Sequence, residues 1–120
     1  MEVRSAASLA LFLLFTGCSA AGLLLFKHGW PRFFTALNDG SAWASLAILP
    51  AVGAALYAVS FLVWLVIVTR LPLTVAYPVA IGLSLVAVTI GAVVWLGEPL
   101  SAIRMLGAAL VLAGIALIVR

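Results

Sequence analysis

Four stretches of this sequence are each long and apolar enough to cross a lipid bilayer, and together they leave few residues over. They cover about residues 5–26, 44–69, 75–96 and 102–119. A helix needs about 20 apolar residues to span the hydrocarbon core. Inside that core it satisfies its own backbone hydrogen bonds, which an irregular chain cannot do. The chain is 68% hydrophobic and 8% charged, where soluble domains average about 45–50% and about 25%. No soluble fold of 120 residues buries so much apolar surface. The sequence therefore predicts an all-α integral membrane protein, a four-transmembrane-helix bundle forming a single domain over residues 1–120. That leaves no room for a soluble catalytic unit. The first stretch is distinctive, because residues 5–26 contain no charge at all.

Between the first two stretches lies the least apolar part, about residues 29–43. Trp30 suits a membrane–water interface, and Pro31 suits the first turn of a helix. Phe33, Phe34 and Leu37 can form one apolar side. The pattern predicts a short amphipathic segment on the membrane surface, ended by the Asn38-Asp39-Gly40 turn signal. Pro50 either kinks the second helix or marks its start. The connection at residues 70–74 is so short that the second and third helices are antiparallel neighbours. In the third helix Pro78 frees a carbonyl, and with Gly82 four residues on it predicts a bend or hinge. Ser101 is positioned to cap the last helix.

The net charge is +3, from scattered bases and no cluster, so nucleic acid is not an expected partner. An even number of spans puts both termini on one side. That side collects Arg4, Arg70 and Arg120, and the other Lys27, Arg32 and Arg104. The loop-charge rule finds no bias, which leaves insertion in both orientations, or orientation by a partner, open. Phe15-Thr16-Gly17-Cys18 loosely resembles a lipoprotein cleavage site, but the apolar run continues to Phe26, so a spanning helix is expected. A single cysteine excludes an intrachain disulfide and a cysteine-built metal site.

Polar groups cluster on two helices. Tyr57, Ser60 and Trp64 fall on one face of the second helix, and Tyr77, Ser84 and Thr89 lie on the third. An aromatic and hydroxyl face inside a membrane can line a pathway or fill space between helices. Lys27 and Arg32 can hold a phosphate or snorkel to anionic lipid. Glu98 can contact a headgroup or a partner, or pair with a nearby base such as Arg104. Gly107 and Gly114 lie seven residues apart on nearly one face, and small faces pack helix on helix in lipid. The fourth helix is therefore the expected dimer helix, with packing inside one subunit as the other reading. No catalytic triad, metal-ligand spacing or glycine-rich phosphate loop is present, so neither an enzyme nor a cofactor or metal is expected, and ATP hydrolysis is excluded.

Three segments carry a family resemblance: Leu71-Pro72-Leu73-Thr74-Val75-Ala76-Tyr77-Pro78, then Gly97-Glu98-Pro99-Leu100, then Gly107 to Gly114 and Ile115. From about residue 54 onward the chain resembles the small multidrug resistance family and its relatives, the EamA-like members of the drug/metabolite transporter superfamily. The resemblance covers over half the chain, in order and spacing. It implies a multi-pass transporter of the bacterial inner membrane. Exporters of cationic drugs in that family hold a proton-coupling glutamate in the first helix. Aligned on Gly22 and Lys27, that position here is Ser19, so proton-for-cation exchange is not expected. The Ala-Tyr-Pro and Glu-Pro motifs are most similar to the small flippase subunits for aminoarabinose-linked undecaprenyl phosphate, which work as pairs of different small subunits and also lack that glutamate. The resemblance implies translocation of an amphipathic, lipid-linked substrate such as a polyprenyl-phosphate-linked sugar, by alternating access in a homodimer or heterodimer. Lys27 and Arg32 would meet the phosphate, and Ser19, Tyr57, Ser60, Trp64, Tyr77, Ser84 and Glu98 complete the candidate site. A small-molecule or cation exporter, and a non-transporting accessory subunit, are the other readings.

Overall fold

In a computed structural model, which describes residues 5–40 and 43–120, every regular element is a helix. They are α1 (Ala6–Asp39), α2 (Trp43–Leu46), α3 (Ile48–Arg70), α4 (Leu73–Val94) and α5 (Ala102–Val119). Four of them, with α2 and α3 counted together, are long and apolar enough to span a membrane. Arg4, used in the charge count, lies outside the described residues.

The first helix is longer than the sequence pattern suggests. Rather than ending near Phe26 and restarting as a separate surface segment, α1 runs on through Pro31 for 34 residues, about 51 Å at 1.5 Å per residue. Proline inside a helix removes one hydrogen bond. Here the carbonyl it frees belongs to Lys27, which is exposed and open to solvation. Stacked rings also brace the helix across the proline. Trp30 lies 5.2 Å from Phe26 and 5.6 Å from Phe33, centroid to centroid, and 6.0 Å from Phe34. Such neighbours at three and four residues stabilise a helix. Ser5 caps the start by accepting the Ser8 N–H at 3.2 Å. At the end Gly40 takes φ 68°, a left-handed conformation that a side chain disfavours.

The second apolar stretch breaks at Ala47. Pro50 falls in the first turn of α3, where its missing N–H would have had no partner in any case. It therefore marks the start of the helix. Pro72 caps α4, which begins two residues earlier than expected. Ser101 caps α5 by accepting the Arg104 N–H at 3.3 Å, and the expected bounds of α5 match.

Helix α1 is the centre. Helix α3 packs against it antiparallel through crossed glycines. A Cβ on Gly22 would sit 2.6 Å from the Gly53 carbonyl oxygen, and one on Gly53 2.5 Å from that of Gly22. Only residues without a Cβ let the two backbones come this close. Helix α4 runs parallel to α1 on another side, with Leu24 against Gly91. Phe12, Ile67, Leu71, Ala76 and Ala80 form a buried cluster that ties α1, α3 and α4 together at one end. Helix α5 packs on α4 alone, through Ile115 and Leu112 at Gly82, and has no buried residue.

Candidate functional site

Helices α3 and α4 are joined by a two-residue link, yet they touch little along their length because each leans on α1 instead. Between them opens a cleft of about 570 Å³. Tyr57, Ser60, Phe61 and Trp64 line it from α3, and Tyr77, Ser84 and Thr89 from α4, with Ile81, Leu85 and Val88 between them. The i, i+3, i+7 spacing of Tyr57, Ser60 and Trp64 puts all three on one face, as the periodicity predicted. Phe15 of α1 contributes a further lining ring.

Three rings gather at the end nearest the α3–α4 link. Trp64 lies 5.6 Å from Phe15 and meets Tyr77 edge-on at 5.9 Å. Tyr57, nearer the other end, remains half-exposed. Ser60 is buried and donates its hydroxyl to the Tyr57 carbonyl at 2.6 Å. None of the cleft's lining residues is charged. The cleft therefore presents aromatic faces and hydroxyls, which suit an apolar chain or an uncharged polar group. It offers no counter-charge for a cation.

The other candidate residues stand apart from the cleft. Ser19 is buried in α1 and donates to the Thr16 carbonyl at 3.2 Å. The neighbouring Thr16 Oγ1 is buried without a hydrogen-bond partner. Lys27 forms an ion pair with Glu98, not with a ligand-facing group of the cleft. The expected Glu98–Arg104 pairing does not form. Arg104 instead donates Nη1–H to the Pro99 carbonyl at 3.3 Å. Arg32 lines two grooves where α1 meets the Leu46 region, and neither shares a residue with the cleft. Pro78 lies inside α4, and Gly82 is buried against the Ile115 side chain. Gly107 and Gly114 have nothing within 4 Å of a built Cβ.

Sequence reasoning missed Phe15, because one phenylalanine in a uniformly apolar helix carries no signal. It also missed the Lys27–Glu98 pair, whose members are 71 residues apart. Counting spans puts both on the same side of the membrane, which was the available clue.

The EamA-like transporter family matches residues 3–120. A Shewanella sediminis protein described as probable 4-amino-4-deoxy-L-arabinose-phosphoundecaprenol flippase subunit ArnF is 45% identical over 84 residues. The match covers 65% of this chain and 57% of the relative, so the chain spans a little over half of that protein's length. No solved structure matches the chain.

Proposed function

This chain belongs to the EamA-like transporter family, and on that premise we propose that it carries an amphipathic, lipid-linked substrate across the bacterial inner membrane by alternating access. A polyprenyl-phosphate-linked sugar is the substrate class. The uncharged aromatic and hydroxyl cleft between α3 and α4 carries this reading. An isoprenoid chain is apolar and rich in double bonds, and it suits a wall of Tyr57, Trp64 and Tyr77, while Ser60, Ser84 and Thr89 suit sugar hydroxyls. Lys27, about three turns along α1 from Phe15 of the cleft's ring cluster, is the group for the phosphate, with Arg32 a further base on the same side. The Shewanella relative, described as a probable flippase subunit for a sugar-phosphoundecaprenol, agrees with this cargo.

The working unit in this proposal is a dimer through α5, formed with a second copy or a similar small subunit. One observation supports it: α5 has no buried residue and so offers a whole face to a second subunit. Gly107 and Gly114 form the contact. The freed carbonyl ahead of Pro78, with Gly82 one turn on, lets α4 bend between the two access states. The role is movement of the substrate, not its chemical conversion. Export of a cation requires a membrane acid on the path, and the cleft holds none.

Native mass spectrometry of the protein in nanodiscs tests the reading, with undecaprenyl phosphate and phosphatidylglycerol as competing ligands. Retention of the polyprenyl lipid on a dimer is the expected result. Equal retention of both lipids would remove the case for a lipid-linked cargo.

A further inference from the structure

Two cations from different helices converge on consecutive residues of one turn. The turn follows α4 and folds back on its last turn. Gly97 takes φ 68°, and the Glu98 N–H donates back to the Ala92 carbonyl at 3.0 Å. From this platform the Glu98 carboxylate grips the Lys27 ammonium of α1, and the adjacent Pro99 carbonyl accepts from the Arg104 guanidinium of α5. His28, next to Lys27, stacks on Trp95 at 4.7 Å, so α1 is tied to the same turn twice. Two cations and one carboxylate leave a net charge of about +1 when all three are ionised.

The place and chemistry suit a phosphate. The pair is accessible, with side-chain exposures of 61% for Lys27 and 40% for Glu98, so an incoming anion can reach it. Thr89, the last cleft residue on α4, lies five residues before the helix end at Val94, about 7.5 Å at the helical rise, and Glu98 sits in the turn that follows. A chain lying in the cleft would therefore present its head at this level. A carboxylate on an ammonium uses the same donors as a phosphate oxygen would. The phosphate of a sugar-linked polyprenyl lipid is a diester, whose two non-bridging oxygens share one charge and can accept from both bases at once, and Arg104 has unused donors for the second oxygen.

We propose that the α4–α5 turn is a phosphate-ester site built by Lys27 and Arg104, and that Glu98 is its internal competitor. Glu98 occupies Lys27 while the site is empty, and the phosphate displaces it. The site rests on the lipid-linked reading only for the source of the phosphate. An exposed ion pair is weak, which is what a displaceable placeholder requires. Such a pair is populated only a few-fold over its open form, and apparent affinity falls by the fraction of sites that are free. Removing the competitor therefore gains about 2- to 6-fold in affinity.

The test is titration of the protein in phosphatidylcholine nanodiscs with undecaprenyl phosphate, followed by native mass spectrometry. Glu98→Gln is expected to bind about 2- to 6-fold more tightly, and Lys27→Gln and Arg104→Gln each more weakly. Undecaprenol, which lacks the phosphate, should not respond to any of the three. Glu98→Asp keeps the charge but withdraws it by a methylene, so it should give an intermediate gain. It decides the matter if the Gln variant does not fold. Unchanged or weaker binding by a folded Glu98 variant overturns the proposal, and so does wild-type binding of undecaprenol equal to that of its phosphate. If phosphatidylglycerol reproduces the whole pattern, the phosphate site stands and the lipid-linked cargo falls.

Discussion

Gly22→Ala tests the packing on which the rest of the molecule hangs. A methyl group at this position meets the Gly53 carbonyl oxygen at 2.6 Å and the Tyr57 backbone nitrogen at 2.7 Å, where ordinary contacts begin near 3.4 Å. The shortfall is about 0.8 Å by that van der Waals measure. Both obstacles are backbone atoms, so no side-chain rotation relieves them, and α1 and α3 must move apart. A gap of about 0.5–1 Å forfeits a quarter to a half of the dispersion energy of each contact it affects. This is the most extensively packed helix pair in the protein, and lipid supplies no hydrophobic drive to push the helices back together. Overpacking on this scale costs about 1–3 kcal/mol, or about 5- to 150-fold in the unfolding equilibrium. Gly17→Ala is the internal control. It lies on the same helix, and its new methyl meets nothing within 4 Å. Helix propensity alone makes that change neutral or favourable by up to about 1 kcal/mol. The assay is reversible unfolding in mixed micelles of rising SDS fraction, followed by tryptophan fluorescence. Stability of Gly22→Ala within about 0.5 kcal/mol of Gly17→Ala, the range of a surface change, would refute the close-approach argument.

Three further outcomes are expected. Ser101→Ala removes the cap of α5 and costs about 1 kcal/mol; because α5 has only α4 to lean on, faster amide exchange should appear in its first turn before α4 responds, and unchanged exchange would count against the cap. Thr16→Val replaces a buried hydroxyl that has no partner with a methyl of similar shape, so Tm should hold or rise; a clear fall would show that the hydroxyl is bonded. The double variant Gly107→Leu, Gly114→Leu adds bulk where nothing lies within 4 Å, so the monomer should unfold as before while the dimer fraction drops; an undiminished dimer would move the interface away from α5.

Much of the framework is legible from local chemistry. In lipid each span must close its own hydrogen bonds, so length and apolarity alone predict four helices. The caps at Ser101 and the α3 start at Pro50 follow from which backbone groups need partners at a helix end. The cleft wall was readable in part, because Tyr57, Ser60 and Trp64 stand out at helical spacing from a uniformly apolar background. Arg32, by contrast, was grouped with the cleft on residue type, and the fold puts it in grooves beside Leu46 that share no residue with the cleft.

By itself, the sequence determined the number of spans, the approximate ends of all but the first, and which polar residues each face carries. The tertiary structure decided which faces meet. It carried α1 through Pro31 on a ladder of rings, crossed Gly22 with Gly53, left α5 on the outside, and brought Lys27 to a carboxylate 71 residues away. The reason is physical. In water, an apolar stripe marks the face that will be buried. In lipid, a leucine facing acyl chains and a leucine facing another helix are nearly equal in free energy, so periodicity cannot mark the packed face, and only the fit of small residues and backbones in three dimensions selects it.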